Sequence, residues 1–300
     1  MMHIPSISQY RQGALVASLA LMLAACGSSD EYQWEMWDTG QQEGTPVSIN
    51  AEDGTEESLK AGSTLGVFVV SEDGTVTWMT VVVDKDGSII LPPEAQTGKV
   101  VAYAPEQPGW GLESFTTTQR FEVQPDQSKQ ADYDASDLMI GTITTATRSQ
   151  EVRLQLRHML ARVVVHIVDE TGAVDSDNAS MRLLRMAGTV NVNLSAMQVS
   201  TVENSLTDID MLPCNATDRR ISLAAIVAPQ TIEEGSDFLE FTVAGSHRTC
   251  QLPSKTELEG NKTFVFQMRY TDEGLVPEGS YIVAWEDDGS ETEFNIRTNK

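Results

Sequence analysis

One thiol stands where chemistry on the chain itself is to be expected. Cys26 directly follows Leu23-Ala24-Ala25, the end of an apolar run from Ala14 to Ala25. Arg11 and a polar start precede that run. This is the layout of a secretory signal: a basic head, a short greasy middle, then small residues. The run is too short to cross a bilayer as a helix. Elsewhere the residue types that do chemistry are scattered. There is no His-Glu-x-x-His, no Gly-x-Ser-x-Gly and no glycine loop of the phosphate-binding kind. His3 leaves with the signal, His158 and His166 flank a strand, and His247 sits in a turn beside Gly245. His158 reads as a buried ring bonded to a backbone carbonyl rather than as a ligand. Asp132, Asp134 and Asp137 cluster near Tyr133 but lack the glycine and terminal glutamate of an EF-hand loop, so they read as a solvated acidic loop. We therefore expect no catalytic residue, no metal and no cofactor. Cys214 and Cys250 are the remaining cysteines. Outside the cytoplasm they can form one disulfide, or they can stay as two buried thiols acting as small hydrophobes.

Small residues followed at once by Cys resemble the lipobox of bacterial lipoproteins. The resemblance implies cleavage between Ala25 and Cys26, acylation of the Cys26 thiol, and a new N-terminus that carries lipid. Several acyl chains bury enough methylene groups to hold a soluble body on a membrane. Residues 1–25 are then a signal peptide, and residues 26–44 an acidic tether with Ser28, Ser29, Asp30 and Glu31 next to the lipid. An acidic patch at that place resembles the export signal of Bacteroidetes lipoproteins displayed on the cell surface.

The 300-residue chain has a formal charge of −24, and the signal removes one positive charge, Arg11. Such a body repels nucleic acid and anionic lipid, which excludes nucleic acid as a partner. The charge also keeps a secreted protein soluble.

From Thr45 onward the pattern is short strands. Pro46 to Asn50 alternates, Gly66 to Val70 is a continuous apolar run, and Thr75 to Val83 is rich in β-branched residues around Trp78. Ile89-Ile90-Leu91 stops at Pro92-Pro93, and Lys99 to Ala104 stops at Pro105. Thr116 to Val123 and Leu138 to Thr145 follow. Asp53-Gly54, Asp73-Gly74 and Asp86-Gly87 suit tight turns. Residues 144–150 read as a joint between an N-terminal β-sandwich at 45–148 and a C-terminal one at 149–300. Beyond it, Val152, Leu154 and Leu156 alternate with polar residues. The apolar phase then slips at His158-Met159-Leu160, where a bulge or bend would re-aim the side chains. Met181 to Met186 reads as a strand or one helical turn. Val190 to Leu194, Ile221 to Val227, Phe238 to Val243, Thr249 to Leu252, Thr263 to Tyr270, Tyr281 to Trp285 and Thr292 to Arg297 read as strands. The fold class is all-β.

Several pieces carry a family resemblance by their order: Ala61 to Val69, Val100 to Pro105, Ser136 to Gly141, Val152 to Val163, Val227 to Thr231, Leu258 to Phe266 and Ile282 to Trp285. Together with the lipobox they resemble the fimbrillin family of Bacteroidales, the subunits and relatives of type V pili. The resemblance implies two tandem transthyretin-like β-sandwich domains and a non-enzymatic structural or adhesive subunit of a surface fimbria. It also implies anchoring in the outer membrane through lipid on Cys26, and other fimbrial subunits as partners. In that family an arginine-specific protease removes the first strand of a precursor. The vacated groove then takes a strand from a neighbour, thought to come from its C-terminal end. Here Phe294 and Ile296 would enter the pockets, with Asn295 and Arg297 facing away; alternatively Thr292 to Arg297 pairs within its own domain. The chain departs from the stalk pattern, because no Arg lies between Cys26 and Arg120. Lys60 is the only basic residue between Cys26 and the Gly66 strand, so it is the one candidate processing site there. The departure favours an anchor or another uncleaved subunit. The alternative is a surface lipoprotein that binds glycans or host ligands without polymerising, with Trp78, Trp110 and Trp285 as candidate aromatic platforms.

Overall fold

A computed structural model describes residues 45–51, 59, 61–85, 88–91, 98–145, 152–172, 174, 179–217 and 219–285. They form one compact body that is almost entirely β. Its first sheet has seven strands: β1 (Thr45–Ala51), β2 (Thr64–Val70), β3 (Val76–Val82), β4 (Ser88–Leu91), β5 (Gly98–Ala104), β7 (Met139–Thr145) and β8 (Val152–His158), in the order β3-β2-β5-β7-β8-β1-β4. The sheet's end strands, β3 and β4, follow one another in the chain. Residues 83–87 join them, and the Val83 and Asp84 amides donate to Ser63 and Ser88 carbonyls. The sheet therefore folds over a core of its own. Leu65, Val67 and Val69 of β2 meet Val100 and Ala102 of β5, Leu154 and Leu156 of β8, and Ile89 and Leu91 of β4.

The opposite faces of β2 and β5 are covered as well. Phe68, Val101 and Tyr103 pack under Trp110 and Phe115. Phe115 ends a 3-10 turn, Leu112–Phe115, and its ring lies 5.2 Å from that of Phe68. Burial on both faces explains why Gly66 to Val70 reads as an unbroken apolar run. Gly66 is fixed by its neighbour: Tyr103 lies across from it, and a β-carbon there would sit 2.2 Å from the phenol ring.

The second half of the chain builds a sandwich. One layer has five strands in the order β14-β15-β9-β20-β21: β9 (Ala161–Asp169), β14 (Leu212–Thr217), β15 (Arg220–Val227), β20 (Lys262–Thr271) and β21 (Gly274–Ala284). The other has four in the order β13-β10-β17-β18: β10 (Ala179–Ala187), β13 (Leu206–Asp210), β17 (Asp237–Val243) and β18 (Ser246–Gln251). Val163, Val165, Phe264 and Phe266 from the first layer face Leu183, Ile209, Leu239 and Phe241 from the second. Phe238 and Phe266 hold ring centroids 4.8 Å apart. A three-stranded sheet, β12-β11-β6, joins the two halves: β6 (Gln119–Glu122) pairs with β11 (Thr189–Asn193), which pairs with β12 (Gln198–Thr201). A small pair, β16 (Gln230–Ile232) with β19 (Thr256–Leu258), completes the strands. A short α-helix, α1 (Gln130–Ala135), sets Tyr133 against the outer face of the five-stranded layer, where Val164, Ala224 and Val265 are buried.

Several sequence expectations resolve here. Met181 to Met186 is strand, and Arg185 adopts φ 57° where the register between β10 and β13 shifts. The phase slip at His158-Met159-Leu160 is larger than a bulge: it is the passage from β8 in the first sheet to β9 in the second. Gly74 takes the positive φ expected of the Asp73-Gly74 turn, and the Asp73 carboxylate accepts the Thr75 amide, which lowers the Asp73 pKa. The turns at Asp53-Gly54 and Asp86-Gly87, and most of the joint at 144–150, lie outside the described residues.

Candidate functional site

The feature that sets the molecule apart is the place of its first strand. β1 does not lie at an edge. It fills a slot between β8 and β4. Against β8 it runs parallel, from Val47 opposite Val152 to Ala51 opposite Leu156. Against β4 it runs antiparallel, from Thr45 opposite Leu91 to Ser48 opposite Ser88. A parallel pair normally needs a long crossover. Here the whole run from β2 to β7 separates the partners. β1 therefore enters the sheet from outside the local order of the chain, and its withdrawal would leave open backbone rows on two strands. β4 is short and aims Ile89 and Leu91 inward, while Ile90 points out at 61% exposure.

Leu59 packs half-buried against the first core, and Ala61 and Gly62 are exposed just before β2. Lys60 between them lies outside the described residues, as do Ala25, Cys26, Phe294 and Ile296.

A second cluster lies at the end of β8. His158 holds Nδ1 2.8 Å from the Asp137 carboxylate, so its partner is a side chain and not the backbone carbonyl expected from sequence. Its ring stacks on Trp285, centroids 4.1 Å apart and planes 13° from parallel. The Trp285 carbonyl accepts from Arg162 Nη1 at 2.9 Å and from Thr263 Oγ1 at 2.8 Å. The end of the second sandwich is thus clamped to the end of a first-sheet strand. His158 does not flank a strand, as the sequence suggested, but is the last residue of β8; His166 likewise lies within β9, and His247 lies in β18 rather than in a turn, and sequence reasoning had no signal for Asp137 or Trp285 as partners of His158. With Asp137 so engaged, the three aspartates do not converge; Asp132 and Asp134 lie on α1. Among the described residues no group of three or more His, Cys, Asp or Glu side chains is placed to hold a metal ion.

Gln127 is a further residue that sequence did not flag. Fully buried, its side-chain amide donates to the Ile226 carbonyl and accepts the Ile226 amide, both at 2.8 Å. It acts as one residue of strand against β15, past the point where β14 stops pairing. His166 Nδ1 lies 2.8 Å from Ser222 Oγ on the outer face of the same layer.

The two cysteines are not bonded to each other. Cys214 is exposed on β14 in one layer, and Cys250 is buried on β18 in the other. Burial raises the Cys250 pKa. None of the three tryptophans is an open platform: Trp78 is half-buried against the core, and Trp110 and Trp285 are 7% and 6% exposed. Burial pushes the Tyr103 phenol up to about 12, offset in part by the neighbouring Trp78 indole and helped by the negative charge of Glu106. Among the described residues no helix is long and apolar enough to cross a membrane.

A family model described as fimbrillin-like matches residues 37–285, and the chain belongs to that family, whose members are structural and non-enzymatic. A search of curated proteins finds no match. Solved structures with a similar fold include a candidate cell adhesion protein of Bacteroides ovatus, with TM-score 0.62 and 14% identity over 82% of this chain and 99% of that one. A second, from Bacteroides uniformis, has TM-score 0.60 and 12% identity over 81% and 98%. A third, from Bacteroides thetaiotaomicron, has TM-score 0.52 and 18% identity over 78% and 97%.

Proposed function

We propose that this protein is a lipid-anchored subunit of a cell-surface fimbria, joined to its neighbours by β-strand exchange, its C-terminal strand entering a neighbour's slot of the β1 kind. The observation that carries the reading is the position of β1, parallel to β8 and enclosed by β4. A foreign strand entering there would satisfy two backbone rows at once. Ordinary edge addition satisfies one. The signal and Cys26 supply the anchor: cleavage after Ala25 and acylation of Cys26 would hold the body on the outer membrane, facing the cell surface. The absence of Arg between Cys26 and Arg120 favours an anchor or another uncleaved member that keeps β1. In such a subunit the C-terminal segment, with Phe294 and Ile296, serves as donor while its own slot stays filled. Cell adhesion is the broader role that the family supports.

The test has two parts. The intact mass of protein from its native envelope, with its N-terminal peptide, should show an acylated start at Cys26; a start at Ala61 without lipid would make Lys60 the processing site and the protein a polymerising subunit. The variant Lys60→Arg, treated with an arginine-specific protease, should lose β1 and form multimers with fimbrial partners. If the cleaved body stays monomeric beside them, the slot is not an exchange site.

A further inference from the structure

The face of β2 and β5 turned away from the first core is walled by aromatic rings. Trp78 of β3, Phe68 of β2 and Tyr103 of β5 share it, under Trp110 and Phe115. Ring centroids stand 6.0 Å apart for Phe68 and Tyr103, and 5.0 Å for Tyr103 and Trp110. Because Gly66 has no side chain, the Tyr103 ring lies across β2, where the Trp78 indole stands beside its hydroxyl. Tyr103 is fully buried and Trp78 Nε1 is shut off from solvent, yet neither Tyr103 Oη nor Trp78 Nε1 completes a hydrogen bond among the described residues. An indole N–H and a phenol O–H left unmade in an apolar place keep their whole desolvation cost. The cover above them is loosely tied. Among the described residues, each hydrogen bond made by residues 107–118 ends within residues 105–119. Side-chain packing alone holds this segment to the sheet, through Phe115 and through Trp110, which stands between two glycines. Gly109 takes φ 84°, and a β-carbon on Gly111 would meet nothing within 4 Å, so packing does not require the second glycine. Both leave the backbone around Trp110 free to swing.

We propose that residues 107–118 are a lid over a binding site, and that its ligand is a small neutral ring bearing one hydroxyl, of the phenol type, which takes the place of the Trp110 indole and bridges Trp78 Nε1 and Tyr103 Oη. The size follows from what leaves: a ring no larger than an indole refills the space. One hydroxyl is enough, because its oxygen accepts from the indole N–H while the group exchanges a second bond with the phenol. Further hydroxyls would be stranded, since the other walls, Phe68, Val101 and Phe115, are apolar. That argues against a sugar. An anion is disfavoured as well, because the negative charge of Glu106 already reaches Tyr103. Trp110 is the resting plug: it fills the volume and leaves the two polar groups unserved, so a ligand that serves them competes with it. The site uses no residue of the β1 slot and stands or falls apart from strand exchange. A free phenolic compound and a tyrosine side chain on a partner protein carry the same chemistry.

The experiment is a titration with phenol of the nitrogen-15-labelled chain from residue 26 onward, carrying Cys26→Ser so that neither lipid nor detergent takes up the probe. The readout is the NMR signal of each indole N–H, assigned with Trp78→Phe and Trp110→Phe. Phenol should shift the Trp78 signal saturably, with a Kd of about 1 mM, since so small a ligand also has to displace Trp110. The Trp110 indole proton should exchange faster with water over the same range, as its ring leaves the chamber. Toluene, with the same ring and no hydroxyl, should bind about tenfold more weakly. Tyr103→Phe keeps the shape of the wall and should bring phenol down toward toluene while leaving toluene unchanged. No saturation by about 20 mM phenol would overturn the proposal. Equal affinity for phenol and toluene would overturn the bridging hydroxyl, and a Trp78 shift without faster exchange at Trp110 would overturn the lid. N-acetyltyrosinamide separates the two sources: binding as tight as phenol assigns the site to a tyrosine on a partner, and weaker binding to a free compound.

Discussion

Among the described residues each half of the molecule contains one parallel strand pair, and the two are built differently. In the second sandwich β9 and β20 pair over eight residues, from Arg162 opposite Thr263 to Asp169 opposite Tyr270. Their inward side chains, Val163, Val165, Phe264 and Phe266, sit in the largest core. Both strands are flanked by long antiparallel neighbours, β15 and β21. In the first sheet β1 pairs with β8 over five residues and is backed by the four-residue β4. The first arrangement makes the strand part of the fold. Under the proposed strand exchange, the second makes it an occupant. A parallel pair is no sign of permanence by itself; the length of the ladder and the cover on its far side decide whether a strand can be exchanged.

The comparison breaks most readily at Phe266. Phe266→Ala empties the contact with Phe238 and should cost about 3–5 kcal/mol, read as a lower midpoint in chemical denaturation. If the loss were no greater than that from removing β1, the two pairs would be equivalent and the distinction would fall. Gly141→Ala comes next. A β-carbon there would lie 2.0 Å from the Gln155 carbonyl oxygen, so β7 could not approach β8. We expect a loss of about 1–3 kcal/mol, together with faster hydrogen exchange at β8 and β1 and unchanged exchange at β9 and β20.

A pH series sharpens the same contrast. Burial raises the Tyr103 pKa to about 12 in the fold, against an ordinary phenol value of 10.0. A raised pKa stabilises the fold fully below the unfolded value. That contribution is lost as pH climbs from about 10 through about 12. The first sheet should therefore loosen in that window, and Tyr103→Phe should remove that part of the pH dependence. The smallest effect belongs to the surface. Lys255→Ala breaks an exposed pair with Glu233 and should change stability by less than about 1 kcal/mol.

Where one residue's environment is local, the sequence showed it. The double burial of Gly66 to Val70 was visible as an unbroken apolar run, and the Asp73-Gly74 turn as a dipeptide. The change of sheet after His158 left its mark as a slip in phase. Other features are set by partners far away in the chain. β21 begins earlier than Tyr281 suggests, because Pro277 is accommodated where the register with β20 shifts at Gln267 and Met268. β14 was missed for a similar reason, with Pro213 inside it at a shift in pairing with β15. The slot around β1 joins residues 47–51 to 152–156, and nothing in either segment names the other. The same holds for His158, whose partners Asp137 and Trp285 come from distant stretches.

Gln127 gives the slot a counterpart. By bonding both backbone groups of Ile226, it denies visiting strands one stretch of β15 that β14 leaves bare. Under the proposed strand exchange, a subunit is exposed to mistaken trades at every other unpaired row, and this buried amide would act as a stopper on one of them. Fidelity of assembly would then depend as much on closed edges as on the open one.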